Sequence, residues 1–436
     1  MANLGQAPAA YSAAGSHVGA KPVGWYRWIV CGILFAATVL NYIDRQTIGF
    51  LQPAMATEYG WRPEDYADTV FWFMVAYAVG YFLFGRLIDR IGAKLGYAAA
   101  VAIWTIAQLC CAFIGSLTGF KLTLALLGFG QSGNFPAALK AVAEWFPQKE
   151  RALANGLFNA GTNVGAIITP VVVPILMLTL GWRWAFFLTA CLSLLWFAVW
   201  MVFFRNPRTS RFVSREELSY IESDRPQGVQ QVPWLKLLTY KETWAFAVGK
   251  FLTDPVWLFY LFWLPTYFTD VYHLKVQYVA APMVLIYVIS DMGSIVGGWV
   301  SSKMMATGAT VNVARKFTML LCACCVLPVA FATLYVHDLW TTTIIIGIAT
   351  AAHQAFSANL YTIPSDTFPQ TAVGSVSGIG GTAGAIGGIL MTIGVHEAQR
   401  LSHNYTPVFI VAGFIYFLAA IVIHWLTPRL SMVKLS

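Results

Sequence analysis

Charge is what this sequence has least of. Asp, Glu, Lys and Arg make up 11% of its 436 residues, about half the share of an average soluble domain. Apolar side chains supply 58%. So little charge cannot clothe the water-facing surface of two or more soluble domains, so most of the chain is expected to lie in lipid. A metal or redox framework is missing as well. The seven cysteines (Cys31, Cys110, Cys111, Cys191, Cys322, Cys324, Cys325) all fall inside apolar runs, with no His or second Cys pair at zinc spacing. They are expected to be small buried hydrophobes. No nucleophile–base pair, nucleotide loop or sizeable soluble segment supports an enzyme or a receptor. The first twenty residues have neither the early basic residue nor the apolar core of a cleaved signal. They are expected to form a disordered cytoplasmic tail.

What the chain has instead is a series of apolar runs of about 20 residues, each long enough to cross a bilayer. They span 26–50, 67–87, 95–115, 120–143, 152–179, 183–204, 244–268, 277–301, 313–335, 340–362, 374–396 and 406–427. The pattern predicts an all-α integral membrane protein of twelve transmembrane helices in two six-helix, pseudo-symmetric bundles. The expected units are a tail (1–24), a first bundle (25–204), a cytoplasmic inter-bundle loop (205–243), a second bundle (244–428) and a short cytoplasmic tail (429–436). Of the 27 basic residues, 20 fall on the side that carries both termini. Arg62, Lys121, Arg183, Lys275 and Arg400 fall on the other side, and Arg45 and Lys250 lie within helices. That bias predicts cytoplasmic termini. It also accounts for the net charge of +8 without nucleic acid, and leaves the central loop to face anionic lipid.

The halves echo each other. GYFLFGRLIDR (80–90) aligns with GSIVGGWVSSK (293–303), so that Gly80 falls on Gly293, Gly85 on Gly298 and Arg90 on Lys303. Phe146-Pro147-Gln148 recurs as Phe368-Pro369-Gln370. Parallel six-helix repeats suit a transporter that rocks about a midplane site.

Charged residues inside membrane helices are costly and mark candidate sites. Asp44 and Arg45 sit side by side in NYIDRQ, and adjacent helical residues point about 100° apart, so the two serve different directions. Arg45 offers a planar fork matched to a carboxylate. Asp44, in a low-dielectric cavity, is the candidate proton carrier. Lys250 and Asp254 stand four residues apart on one helix face, in a helix that Pro255 and Pro265 are expected to break or kink. Lys250 is read as a second anion contact, and Asp254 as its partner or an alternative proton site. Asn159 and Thr162 are polar on a glycine-rich face. His353, which can change charge, stands beside Gln354 and near Asn359. Asp291 is placed toward the inner end of its helix, with a structural or gating role.

The loop Gly85-Arg86-Leu87-Ile88-Asp89-Arg90-Ile91-Gly92-Ala93-Lys94 resembles the signature loop of the major facilitator superfamily, which makes Gly85, Asp89 and Arg90 gating candidates. NYIDRQ, NFPAALKAVAEWFPQKERALANGLFNAG and AHQAFSANLYTIPSDTFP resemble the anion:cation symporter family. Within it they are most similar to the hexuronate (galacturonate and glucuronate) transporters, over about residues 25–428. The resemblance implies proton-coupled uptake of a sugar acid across a bacterial inner membrane. The cargo is a small organic anion, the proton is the coupling ion, and no cofactor is needed. Membrane lipid is the expected surrounding, and the chain is expected to act as a monomer. The family's motifs fall on Tyr42, Asp44 and Arg45, on Tyr77, and on His353 and Gln354. Asp44, Asp254 and His353 are then proton candidates. Tyr42, Arg45, Tyr77, Gln131, Asn134, Asn159, Thr162, Lys250, Gln354 and Asn359 are substrate candidates. Leu124 and Gln131 stand where many relatives carry an arginine and a glutamate. Gln131 cannot titrate, which keeps a uniporter or an exchanger of another organic anion, such as an aldonate, as the alternative.

Overall fold

Backbone amides in a bilayer must bond within their own segment, so apolar runs of this length fold as helices. The computed structural model describes residues 24–61, 63–223, 233–274, 276–402 and 405–433. The first half comprises α1 (Tyr26–Tyr59), α2 (Pro63–Cys111), α3 (Leu117–Gln131), α4 (Asn134–Trp145), α5 (Gln148–Leu180) and α6 (Trp182–Phe203). A short helix, α7 (Arg215–Ile221), lies in the connecting segment. The second half comprises α8 (Lys241–Tyr272), α9 (Val276–Ala306), α10 (Val311–Val326), α11 (Val329–Tyr335), α12 (Leu339–Leu360), α13 (Ile363–Thr367), α14 (Val373–Ser402) and α15 (Thr406–Leu426). Among the described residues there is no strand. Most of the N-terminal tail, residues 224–232 of the central loop, Arg62, Lys275 and the side chain of Arg400 lie outside the described part.

These helices make twelve passes. The runs expected at 67–87 and 95–115 are one assigned helix with a break at Gly92 (φ 87°, ψ 162°). That left-handed backbone suits a residue without Cβ and folds the second limb back on the first. The fourth pass is α3 and α4, broken at Ser132–Gly133, and α10 and α11 together form another. Among the described residues eight helices are long and apolar enough to cross a membrane on length and composition alone, α2 holding two passes. The three remaining passes are α8, α12 and α3–α4, the last made of two helices of 15 and 12 residues that are each too short to cross alone. Helix α8 runs from Lys241 to Tyr272 without a break, so of the expected break or kink at Pro255 and Pro265 the break is excluded.

Large apolar side chains cover the outside: Leu178 is 80% exposed, Trp425 77% and Phe113 75%. No soluble monomer carries a belt of this kind; in a bilayer it meets lipid. Three cysteines belong to it. Cys191, Cys324 and Cys325 are exposed, against the expectation that all seven are buried. Cys191 shares its surface with Leu192, Leu194 and Leu195.

The two halves meet along α5 against α9 and α2 against α14. The sequence repeat marks these seams. A Cβ on Gly85 would lie 2.5 Å from the Gly374 carbonyl oxygen, and one on Gly298 would lie 2.3 Å from that of Ala152. The two aligned glycines are thus the points where each half's backbone touches the other. Beside them Asp89 accepts hydrogen bonds from Gly374 N (2.9 Å) and Ser375 N (2.5 Å) at the start of α14. A carboxylate there satisfies free amides and complements the helix dipole; Lys140 Nζ, 2.9 Å away, pairs with it. Arg315 Nε donates to Asp366 (3.1 Å) and its Nη2 to the Gln148 carbonyl (2.8 Å). Arg151 donates to the Ser365 carbonyl at 2.6 Å, and Gln370 Nε2 to the Ala143 carbonyl at 2.8 Å. Both repeated Phe-Pro-Gln segments therefore take part in a latch across the halves, Gln148 through Arg315 and Gln370 through Ala143. Arg90 is exposed and stands outside it, so the structure does not support a latch role for that residue. Arg27 pairs with Glu150 (2.8 Å) and Glu217 (3.3 Å), fastening α7 and the connecting segment to this same end.

At this connector end the halves are closed. Gly298→Val is expected to pry α9 from α5. Overpacking of this kind costs about 1–3 kcal/mol, enough to shift a two-state population by about fivefold to 150-fold. Spin labels at the exposed positions Arg90 and Lys303 should then report a longer separation; an unchanged distance would refute the seam assignment.

Candidate functional site

The site grows from Arg45. One turn earlier on α1, Asn41 Oδ1 accepts from its Nη2 at 3.2 Å, and Gln131 Oε1 accepts from its Nε at 3.1 Å. Gln131 Nε2 in turn donates to the Asn41 carbonyl at 3.1 Å, tying α3 to α1. The guanidinium lies over three rings: Tyr77 at 4.5 Å, Tyr42 at 4.9 Å and Phe73 at 5.7 Å. Aromatic faces stabilise a cation without neutralising it. Among the described residues no carboxylate lies within ion-pair distance of Arg45.

Across from it, Lys250 Nζ lies 2.7 Å from Asp254 Oδ2, donates to Tyr361 Oη at 3.0 Å and sits 4.5 Å from that ring's centroid. Gly384 on α14 makes room for the carboxylate, since a Cβ there would lie 2.2 Å from Asp254 Oδ2. Trp257 stacks on His353, with centroids 5.5 Å apart and planes 4° apart. His353 Nδ1 lies 2.6 Å from Tyr416 Oη, which fixes the ring from behind. Between the walls, Asn159 Nδ2 donates to Gln354 Oε1 at 2.7 Å, and Gln354 Nε2 to Thr162 Oγ1 at 3.4 Å, so these amides join the two halves.

The cavity measures about 70 Å³. Nine residues singled out from the sequence line it: Tyr42, Arg45, Tyr77, Asn159 and Thr162 from the first half, and Lys250, Asp254, His353 and Gln354 from the second. Five others do not. Gln131 supports Arg45 from behind. Asn134 accepts from Tyr97 and contacts Thr38 inside the first bundle. Asn359 donates to the Gly297 carbonyl at 3.2 Å, facing α9. Asp44 is fully buried on the other side of α1, where Oδ2 accepts from Ser193 at 2.9 Å and Oδ1 has no partner among the described residues. It therefore occupies the first bundle rather than the cavity. Asp291 sits at the middle of α9, not toward its inner end, and accepts from Asn163 Nδ2 across the seam at 2.6 Å. Sequence reasoning missed Tyr81, whose Oη lies 3.1 Å from that of Tyr77; its position four residues on was the available signal. It also missed Tyr361 and Phe135, and Trp257 does not stand out among the 17 tryptophans of the chain.

Two seamed six-pass halves around one midplane cavity narrow the possibilities to one kind of machine, and residues 34–392 match the Major Facilitator Superfamily. The chain belongs to that superfamily. It is a multi-pass membrane transporter, not an enzyme. It is similar to a hexuronate transporter of Escherichia coli K12, at 28% identity over 91% of this chain and 93% of the relative. A galacturonate transporter of Dickeya chrysanthemi is also 28% identical, over 63% of this chain and 81% of its own length. In fold, the chain superposes on a fucose:proton symporter of Escherichia coli with a TM-score of 0.72 at 14% identity, covering 93% of this chain and 100% of that one.

If the open charge of Arg45 is what the cavity offers a cargo, then answering it from within should weaken binding. Gln131→Glu places a carboxylate where Gln131 Oε1 now sits, 3.1 Å from Arg45 Nε. The half-saturating cargo concentration is expected to rise about tenfold, equivalent to about 1.4 kcal/mol. The concentration dependence of uptake would show it; an unchanged value would remove Arg45 from the binding role.

Proposed function

We propose that the chain takes up a sugar acid, a hexuronate such as galacturonate or glucuronate, together with a proton by alternating access. One observation carries the reading: a guanidinium without a carboxylate partner opens into a cavity lined by hydroxyls and amides between two halves that can rock. The names of the relatives agree with an organic anion as cargo.

In this reading the cargo carboxylate docks on the Arg45 fork. Tyr42, Tyr77, Asn159 and Gln354 exchange their mutual contacts for sugar hydroxyls, and Trp257 offers an apolar wall. Asp44 takes the proton. It is one residue from Arg45 and about 100° around α1 from it, turned to Ser193 of α6, so its charge state can bias the position of that helix without touching the cargo. Asp254 and His353 are secondary proton candidates. The connector end, with both termini, faces the cytoplasm of a bacterium, and cargo enters from the opposite side. Release requires the α5–α9 and α2–α14 seams to part. The proton is the coupling ion, no metal or organic cofactor takes part, and the chain works as a monomer surrounded by lipid.

A second reading, an exchanger or uniporter for another organic anion, draws on Leu124 and Gln131, which leave α3 without a titratable group beside Arg45. One pair of measurements in proteoliposomes separates the two. Asp44→Asn is expected to abolish accumulation driven by a pH gradient while cargo exchange continues. Full accumulation by the variant would overturn the proton assignment. Labelled galacturonate should be displaced by glucuronate; displacement by non-sugar aromatic acids alone would sink the hexuronate reading.

A further inference from the structure

The cavity's own charges set how many negative charges a cargo can bring. Its charged side chains are Arg45 from α1 and Lys250 and Asp254 from α8; α12 adds His353, the residue after it adds Tyr361, and α14 contributes only Gly381, Gly384 and Ala385. Lys250 is already answered by Asp254 at 2.7 Å, and Gly384 holds open the space that carboxylate needs. Arg45 is answered only by amide oxygens and rings. The site as folded therefore has one uncompensated positive charge. A cargo with one carboxylate neutralises it. A second carboxylate has to stay unpaired in a low-dielectric space or evict Asp254 from Lys250, and either leaves a buried charge without a partner.

We infer that Asp254 is a specificity residue: it stands in for an anion on Lys250 and so restricts the cargo to a single negative charge. This rests on the anion-transport reading above and deepens it. Asp254 acts here as a resident competitor for Lys250, separate from any proton it carries. Removing its charge while keeping its shape frees Lys250 and gives the cavity two open cations. A dicarboxylate sugar acid then fits.

The test is calorimetric titration of the purified full-length chain at neutral pH with galacturonate, which carries one charge, and galactarate, which carries two. The wild-type chain is expected to bind galacturonate about tenfold or more tightly than galactarate, a gap of about 1.4 kcal/mol. In Asp254→Asn the ratio should close or invert. The double variant Lys250→Gln with Asp254→Asn removes both charges of the pair, leaves Arg45 alone and should restore the preference for one charge. That return separates a charge rule from general damage to the fold. A ratio that is the same in wild type and Asp254→Asn, or a wild-type chain that prefers galactarate, overturns the inference. If neither sugar acid binds the wild type, the hexuronate reading falls by itself. The pair lactate and malate then decides the charge rule by the same ratio, and failure of that pair to bind overturns the rule too.

Discussion

A cation buried among helices has to be answered, and this chain answers its cations with carboxylates. Arg27 has Glu150 and Glu217, Lys140 has Asp89, Lys250 has Asp254, and Arg151 and Arg315 share Asp366. Arg45 is different: two amide oxygens and three rings hold it, and none of them carries charge. The pairing elsewhere gives that difference its meaning. Leaving one buried ion unpartnered is expensive, and the expense is relieved when an anion arrives from outside. The carboxylates show the complementary pattern. Asp44 and Asp291 have hydroxyl or amide donors and no cation within reach among the described residues.

Most of the architecture was legible because hydropathy has the same physics as burial in lipid. Runs near 20 residues mark the passes, and their midpoints agree with the helices. The ends do not, because helices such as α1 and α5 continue past the bilayer into the end caps, where apolarity no longer decides. The breaks within passes were also hidden. Gly92 was visible as a loop glycine, but nothing at sequence level says that a loop shrinks to a single left-handed residue.

The site was half legible. A charged or amide residue inside an apolar run announces itself, so Arg45, Lys250, Asp254, Asn159 and Gln354 stood out. What a run of letters does not display is the direction in which a side chain points. Gln131, Asn134 and Asn359 are polar in the same way and turn toward neighbouring helices, because packing of α3, α4 and α12 fixes their faces. Tyrosines 81 and 361 were invisible for the opposite reason: a tyrosine in a membrane helix is ordinary until its neighbours make a cavity. The Phe-Pro-Gln echo was seen as evidence of repetition, and only the bonds that each copy makes to the other half gave it a mechanical role.

The glycine contacts at Gly85 and Gly298 bear on a different problem, which is leakage. A transporter that holds a pH gradient must not let protons slip past its closed end while it waits for cargo. Side chains that mesh leave rotamer-dependent gaps in which a file of waters can form. Backbone pressed on backbone, with no room for even a Cβ, excludes such a file whatever the side chains around it do. At these two points the connector end is therefore closed by backbone alone, and that closure does not depend on the charged latch that surrounds it.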